Sequence, residues 1–293
     1  MPLVRQSPGK INLLLNILGR RPDGYHDLET LFFPVPVHDR LTFESTGPGT
    51  GLQLTCNHPG LPVDDSNLVH RAARRFLAET GVDAGFRIQL DKRLPLAAGL
   101  GGGSANAAHT LLALNELLGQ PLASPQLDAL AAELGSDVNF FLQDRPALAT
   151  GRGEQVESVG PFPCLSGCGL WLYHPGFGIS TAWAYRELAH HPEARSGRPG
   201  RARALVELLH SGDRAAVGQA LYNSLEVPAL RKFPILALYQ EFLRGQGAFG
   251  ALMSGSGSTT FALFPSLAEA QAAREPFEAE FGAEGWLEIV ALP

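Results

Sequence analysis

Polar and apolar residues alternate from Lys10 to Ile17, with Ile11, Leu13, Leu15 and Ile17 on one side and Lys10, Asn12, Leu14 and Asn16 on the other. That period of two predicts a strand whose polar face carries Lys10 and Asn12 two residues apart. Pro22, Asp23 and Gly24 then supply turn chemistry between Arg20 and His26. From Asn67 to Glu79 the spacing of Leu68, Ala72, Phe76 and Leu77 predicts a helix that Gly81 closes. Phe86, Ile88 and Leu90 alternate with polar residues as a strand that leads into a glycine-rich run. After the run, Ser104 to Leu118 predicts a helix with Ala107, Leu111, Leu114 and Leu118 on its buried stripe, and Ser124 and Pro125 predict a cap and first turn for another helix reaching Gly135.

Residues 150–169 are rich in Gly and Pro and mark a boundary between an N-terminal domain, 1–155, and a C-terminal domain, 156–293. Beyond it, a strand is predicted over Leu170 to Tyr173 and a helix over Thr181 to Leu188. The segment His191 to Arg201, rich in Pro, Gly and Arg, reads as a solvated connection, with contact to a polyanion as the alternative. Helices follow at 202–210 and 235–243, and strands at 251–253, 261–264 and 286–292. The capping box Ser266-x-x-Glu269 opens a helix between the last two strands. Gly245 to Gly250 matches Gly-x-Gly-x-x-Gly, but it follows a helix and precedes a strand, the reverse of a dinucleotide fingerprint, and so reads as a turn. The pattern is two α+β halves without internal repeats.

Composition narrows the function classes. Hydrophobic residues at 45% and charged residues at 18% suit a globular chain of 293 residues. A formal net charge of -6 disfavours general nucleic-acid binding, which draws on Lys and Arg at phosphates. Three cysteines, Cys56, Cys164 and Cys168, are too few for a disulfide framework and favour a reducing, cytoplasmic setting. No export signal is recognised, and the uncharged stretch from Leu94 to Asn115 carries too many Gly, Asn and Ser residues for a membrane span.

The chemistry is expected where the strand at 86–90 runs into Pro95, Leu96, Ala97, Ala98, Gly99, Leu100, Gly101, Gly102, Gly103, Ser104 and Ala105. Phosphate oxygens need several donors converging on one point. Glycines let backbone N–H groups approach, and the following helix adds its unpaired N–H groups and positive dipole end. No P-loop occurs, because Gly9-Lys10 is followed by Ile11 and lacks the preceding glycine. A second small-residue loop, Ser254 to Thr259, reads as a hairpin connection or as a further phosphate-facing surface. Taken alone, Lys10 is an exposed strand lysine and Asp137, after Gly135 and Ser136, a helix cap.

Ser7-Pro-Gly-Lys-Ile-Asn12, the Pro95 to Ala105 run and the Ser254 to Thr259 loop resemble, in order and spacing, the three motifs of the GHMP kinases. The resemblance spans nearly the whole chain. It implies an α+β fold of two domains, an N-terminal ATP-binding domain of the ribosomal S5 domain 2-like type and a C-terminal, substrate-binding ferredoxin-like α/β sandwich. Pro22 to His26 resembles the branch whose substrates carry a cytidine diphosphate group. That implies transfer of the ATP γ-phosphate to the 2-hydroxyl of a linked methylerythritol, within non-mevalonate isoprenoid precursor biosynthesis.

On this resemblance Asp137 is the base and Lys10 the cation beside it. Asn67 lies near the adenine, the glycine run holds the triphosphate, and magnesium accompanies ATP with Ser104 as a ligand. Substrate contacts fall to Asn12, Tyr25, His26, Asp137, Thr181, Tyr185, Gly255, Ser256 and Gly257, with Tyr25 and Tyr185 flanking the cytosine and His26 reading its edge. Gly9 stands where the family has alanine, and Ser136 and Asn139 where alanine and proline are expected. Homoserine or mevalonate as the alcohol, and a non-catalytic sensor on the same fold, are the alternatives. Asp23 to His26 argues against the first, and the joint presence of Lys10 and Asp137 against the second.

Overall fold

The computed structural model describes residues 1–143, 145–195 and 197–293. In chain order the elements are strands β1 (Leu3–Arg20), β2 (His26–Gly47) and β3 (Leu52–Cys56), helix α1 (Leu68–Thr80), strand β4 (Gly85–Asp91), helices α2 (Gly102–Leu117) and α3 (Ser124–Leu134), and strands β5 (Ala147–Gly151), β6 (Gln155–Ser158) and β7 (Gly169–His174). Helices α4 (Thr181–Leu188), α5 (Pro192–Arg195), α6 (Arg201–Ser211) and α7 (Arg214–Ala220) precede strand β8 (Tyr222–Asn223) and helices α8 (Glu226–Lys232) and α9 (Ile235–Gly245). The hairpin β9 (Gly250–Met253) and β10 (Thr260–Phe264), helices α10 (Leu267–Ala272) and α11 (Arg274–Phe281), and strand β11 (Trp286–Ala291) complete the chain. Among the described residues no helix is long and apolar enough to cross a membrane.

The chain forms two compact, interleaved units, one of Met1–Gly9, Val37–Leu94 and Gly101–Asp144, the other of Lys10–Pro36, Pro95–Leu100 and Arg145–Pro293. Strands β1 and β2 and the glycine run each pass from one unit to the other. In the first unit β4 pairs in parallel with β3 and antiparallel with the C-terminal stretch of β2. Helices α1, α2 and α3 pack together over a core that includes Phe43, Phe76, Ile88, Leu90, Leu111 and Leu114. Helix α1 has the ends its sequence predicts, for Asn67 accepts a hydrogen bond from Val69 N and Gly81 takes a left-handed φ of 65°.

In the second unit the N-terminal stretch of β2 pairs antiparallel with β5, β5 with β6, and β1 in parallel with β8. A separate antiparallel sheet has the order β11-β7-β10-β9. With helices between β7 and β9 and between β10 and β11, this is the ferredoxin-like arrangement. Its core gathers Trp171, Tyr173, Tyr239, Phe264 and Phe277. The expected two-part α+β architecture is therefore present.

Several local expectations need correction. Helix α2 starts at Gly102, inside the glycine run, and Leu118 is only half-buried. Helix α3 is capped at Ala123, whose N–H donates to Gln126 Oε1, so Ser124 is its first residue and not its cap. No helix begins at Asp137, which lies in a turn before a single 3-10 turn, Asn139–Leu142. The boundary segment contains the hairpin β5–β6. Apart from Ser196, which lies outside the described residues, much of His191 to Arg201 is exposed, as a solvated connection is, but the segment is also anchored. It holds α5, Gly197 N donates to Ile17 O at 2.8 Å, and Asn16 Nδ2 donates to Arg198 O at 2.9 Å. Buried Glu29 accepts from Asn16 Nδ2, Gly200 N and Ala202 N, and so supplies the acceptor at the start of α6 that Gly200 lacks.

Candidate active site

The second unit brings parts of all three motifs together. Lys10 is 3% exposed, not the surface lysine its alternation suggested. Its Nζ donates to Asn12 Oδ1 at 2.6 Å and to Gly99 O at 3.0 Å, and lies 5.4 Å from the centre of the Phe32 ring. A buried ammonium needs such acceptors, because desolvation otherwise favours its neutral form. Asn12 is held in turn, with Nδ2 donating to Thr30 Oγ1 at 2.8 Å and that hydroxyl donating to Leu14 O at 2.6 Å.

The Ser254 to Thr259 loop joins the paired strands β9 and β10, so it is a hairpin connection. It also closes against the glycine run. Ser254 Oγ donates to Gly99 O at 2.9 Å and Thr259 N donates to Ala98 O at 3.2 Å. Gly99 has φ +77°, and a Cβ there would stand 2.0 Å from Ser254 O. Only glycine fits both the backbone and the contact. A Cβ at Gly255 would stand 3.3 Å from both Lys10 Nζ and Asn12 Oδ1, which measures how closely this loop borders the lysine. Thr181 Oγ1 and Ser256 Oγ lie 2.9 Å apart at the loop's outer side.

Just before the loop, Glu226 Oε1 accepts from Met253 N at 2.7 Å and from Gln240 Nε2 at 2.6 Å. Burial pushes the Glu226 carboxyl up to about 7, against those two hydrogen bonds and the Arg244 charge. A carboxyl raised on folding contributes stability in full below its unfolded pKa and loses it as pH rises through the folded one. Relative to wild type, Glu226→Gln is therefore expected to gain up to about 3 kcal/mol between pH 4 and pH 8. Urea unfolding of both proteins across that range measures it.

The first unit holds the helical half of the glycine run. Gly101 caps α2 with φ 69° and no side chain caps the helix, whose first internal bond is Ala105 N to Gly101 O. Gly103 is exposed and Ser104 half-buried, so the first turn presents N–H donors and a hydroxyl with a positive dipole end. The run is fixed from behind by Asp39, a fully buried carboxylate. It accepts from Arg93 N at 2.8 Å, Leu94 N at 2.9 Å and Asn106 Nδ2 at 3.1 Å, and pairs with Lys92 Nζ. A Cβ at Gly102 would come within 3.0 Å of that ammonium. Asn67 serves as the α1 cap, and Asp137, half-buried, precedes the 3-10 turn that packs on α2.

A third cluster, again in the second unit, forms around the turn at 21–25. Arg21 N donates to Tyr25 O at 2.8 Å and Tyr25 N to Asp23 Oδ1 at 3.1 Å, while Gly24 takes φ +88°. This holds Tyr25 outward, 55% exposed, with the Arg152 guanidinium 4.9 Å from its ring centre. Next to it His26 stacks at 5.0 Å and 34° on Tyr185, the α4 residue whose position suggested either core or ligand contact. Burial, and secondarily the Arg20 charge, hold the His26 imidazole below the pKa of a free one. It is thus neutral near pH 7, with one donor and one acceptor nitrogen.

Sequence reasoning missed Thr30, Asp39, Arg152 and Asn223. Asp39 carried a weak signal as a lone acid between apolar strand positions Val37 and Leu41. The others had none. Among the described residues no group of three or more His, Cys, Asp or Glu side chains is placed to hold a metal, and the three cysteines are free.

Residues 67–151 match the GHMP kinases N terminal domain and residues 205–283 the GHMP kinases C terminal domain. The 4-diphosphocytidyl-2-C-methyl-D-erythritol kinase of Pelotomaculum thermopropionicum is 43% identical over 271 residues, covering 92% of each chain. That of Syntrophotalea carbinolica is 38% identical over 289 residues, covering 98% of this chain and 97% of its own. A crystal structure of 4-(cytidine 5'-diphospho)-2C-methyl-D-erythritol kinase superposes with a TM-score of 0.80 at 37% identity, over 99% of this chain and 100% of that one. Homoserine kinase from Cytophaga hutchinsonii, at 22% identity and a TM-score of 0.74 over 99% of this chain and 93% of its own, shares the fold.

Proposed function

The chain belongs to the 4-diphosphocytidyl-2-C-methyl-D-erythritol kinases of the GHMP kinase superfamily, and we propose how its residues divide the work of that reaction. The protein is an ATP-dependent phosphotransferase that phosphorylates 4-diphosphocytidyl-2-C-methyl-D-erythritol. The acceptor is the 2-hydroxyl, and the products are the 2-phosphate and ADP. The observation that carries the site assignment is the convergence of Lys10, Asn12, Gly99 and Ser254 in one hydrogen-bonded cluster.

Phosphoryl transfer asks for positioning and charge stabilisation more than covalent chemistry. The 2-hydroxyl oxygen attacks the γ-phosphorus, the bond to ADP breaks, and Asp137 takes the hydroxyl proton. Lys10 offsets the charge that spreads over the transferred oxygens. The N–H groups from Gly102 to Ser104 hold the triphosphate, and Pro95 to Leu100 set the loop that leads to them. Asn67 borders the adenine as well as capping α1. The Ser104 hydroxyl would help hold magnesium, which would supply neutralisation of phosphate charge. An open hydroxyl without a carboxylate cage suits that ion, which dehydrates reluctantly.

The cytidine diphosphate group belongs to Tyr25, His26 and Tyr185, with Thr181, Gly255, Ser256 and Gly257 along the loop. Residues 1–155 carry most of the ATP-binding half and 156–293 most of the substrate-binding half. Family matches at 67–151 and 205–283 support that division, although Lys10–Pro36 and Pro95–Leu100 fold with the second unit. With no clustered basic patch required for a small anion, the partner is the nucleotide-linked alcohol, and the three unpaired thiols suit a cytoplasmic setting.

A neutral His26 offers its acceptor nitrogen to a cytosine amino group, and protonation removes it. The KM for the cytidyl substrate is expected to rise as pH falls through a range below that of a free imidazole, while the KM for ATP stays flat over the same range. Initial rates at several pH values test this.

The function is tested by following ADP release with 4-diphosphocytidyl-2-C-methyl-D-erythritol, homoserine and mevalonate offered separately. Turnover of the cytidyl compound alone is expected. Turnover of either other alcohol alone would overturn the assignment.

A further inference from the structure

Strand β8 is only two residues long, yet its second residue is tied both to the strand that carries the first motif and to the loop of the third. Leu15 of β1 is the register partner of Asn223. Ser224 N donates to Leu15 O at 2.8 Å, and Ile17 N donates to Ser224 Oγ at 3.0 Å. Asn223 thus pairs alongside the strand that carries Lys10 and Asn12. Its side chain turns toward the Ser254 to Thr259 loop. Nδ2 donates to Met253 O at 2.8 Å and to Gly255 O at 2.7 Å, while Oδ1 accepts from Leu225 N at 2.9 Å.

The Leu225 N–H fixes which end of the amide is which. Both amide hydrogens are then committed to carbonyls on either side of Ser254, and Asn223 is 2% exposed. An amide in this place sets the direction of the peptide units on either side of the Ser254–Gly255 peptide. From there the order of contacts is short: Ser254 Oγ donates to Gly99 O, and Gly99 O also accepts from Lys10 Nζ. A shift of the Ser254 peptide would move the carbonyl that orients the lysine.

We infer that Asn223 is a positioning residue for phosphoryl transfer, setting the Ser254 to Thr259 loop so that Gly99 O holds Lys10 in its working orientation. It touches neither nucleotide nor alcohol. Its effect therefore falls on kcat and spares the KM for ATP, while the KM for the cytidyl substrate follows any shift of Gly255 to Gly257. The inference rests on the kinase reading above.

The test compares wild type with three variants. Asn223→Asp keeps the acceptor for Leu225 N and turns a carboxylate oxygen toward two carbonyls. Asn223→Ser leaves room for water at those carbonyls and introduces no charge. Leu243→Ala, in the core of the same unit and fully buried, lowers stability at an apolar side chain that makes no hydrogen bond to the loop. Misplacement of reacting groups by about 1 Å costs about 100-fold, so kcat is expected to fall about 100-fold in Asn223→Asp and about tenfold in Asn223→Ser. The KM for ATP is expected to stay within about threefold, and Leu243→Ala, read below its unfolding temperature, to keep its kcat.

Folded Asn223 variants with unchanged kcat would overturn the inference. So would a Leu243→Ala protein with the same loss, or failure of both Asn223 variants to fold, which would make the residue purely structural. A wild-type protein inactive on the cytidyl substrate would instead strike the kinase reading itself.

Discussion

Asp137→Asn is expected to lower kcat by about 10²–10⁴-fold while leaving the KM values and the thermal midpoint close to those of wild type. An alcohol is a poor nucleophile until its proton leaves, and asparagine occupies the same space without being able to accept that proton. Asp137 lies half-buried in a turn after α3 and caps no α-helix. A helix-capping role would give the opposite pattern, with stability falling by about 1 kcal/mol and kcat holding. Thermal unfolding and steady-state rates on one preparation separate the two. Asp137→Ala with near-normal turnover would remove the base from the mechanism.

The second large effect concerns stability. Asp39→Ala is expected to destabilise the protein by about 3–5 kcal/mol, because it leaves a charge buried without its partner. The Lys92 side chain is 3% exposed and Asp39 fully enclosed. The N–H groups of Arg93 and Leu94 and the amide of Asn106 lose their acceptor at the same time. These groups stand at the entry to the glycine run and on α2, so ATP binding should weaken along with folding. The double variant Asp39→Ala, Lys92→Met removes both charges and should recover part of the lost stability. Urea unfolding of the two variants measures both steps. Equal destabilisation by each would show that the buried charge is not the cause.

The same residues show how far the sequence could be read. Strand β1 was legible from Ile11, Leu13, Leu15 and Ile17 because alternation is a local property. Strand β2 was not. Its Leu31 to Val37 stretch is almost continuously apolar and contains Pro34 and Pro36, which argue against a strand. Those prolines lie between the residues that pair with β5, 28–32, and those that pair with β4, 40–47, where neither ladder needs their N–H. Hairpin β5–β6 hid in a Gly- and Pro-rich segment because its partner strand lies more than a hundred residues upstream.

The site divides in the same way. Order and spacing disclosed the three motifs, and the turn at Pro22 to His26 disclosed the cytidyl element. Alternation placed Lys10 on a polar face and therefore in solvent. Its burial comes from the Ser254 to Thr259 loop, remote in sequence, whose contacts with Gly99 and Asn12 no local pattern encodes. Interleaving of the two units is likewise invisible to periodicity, since β1, β2 and the glycine run each change unit partway along. Asn223 looks like any polar residue between helices until its amide is seen to span two carbonyls.

The most direct measurement is ³¹P NMR of the product formed by the purified protein from ATP, magnesium and 4-diphosphocytidyl-2-C-methyl-D-erythritol. One new phosphomonoester resonance, matched by ADP and with the cytidine diphosphate resonances intact, is the predicted spectrum. Loss of the diphosphate resonances, or ADP formed with inorganic phosphate and no new monoester, would contradict transfer of the γ-phosphate to the substrate's hydroxyl.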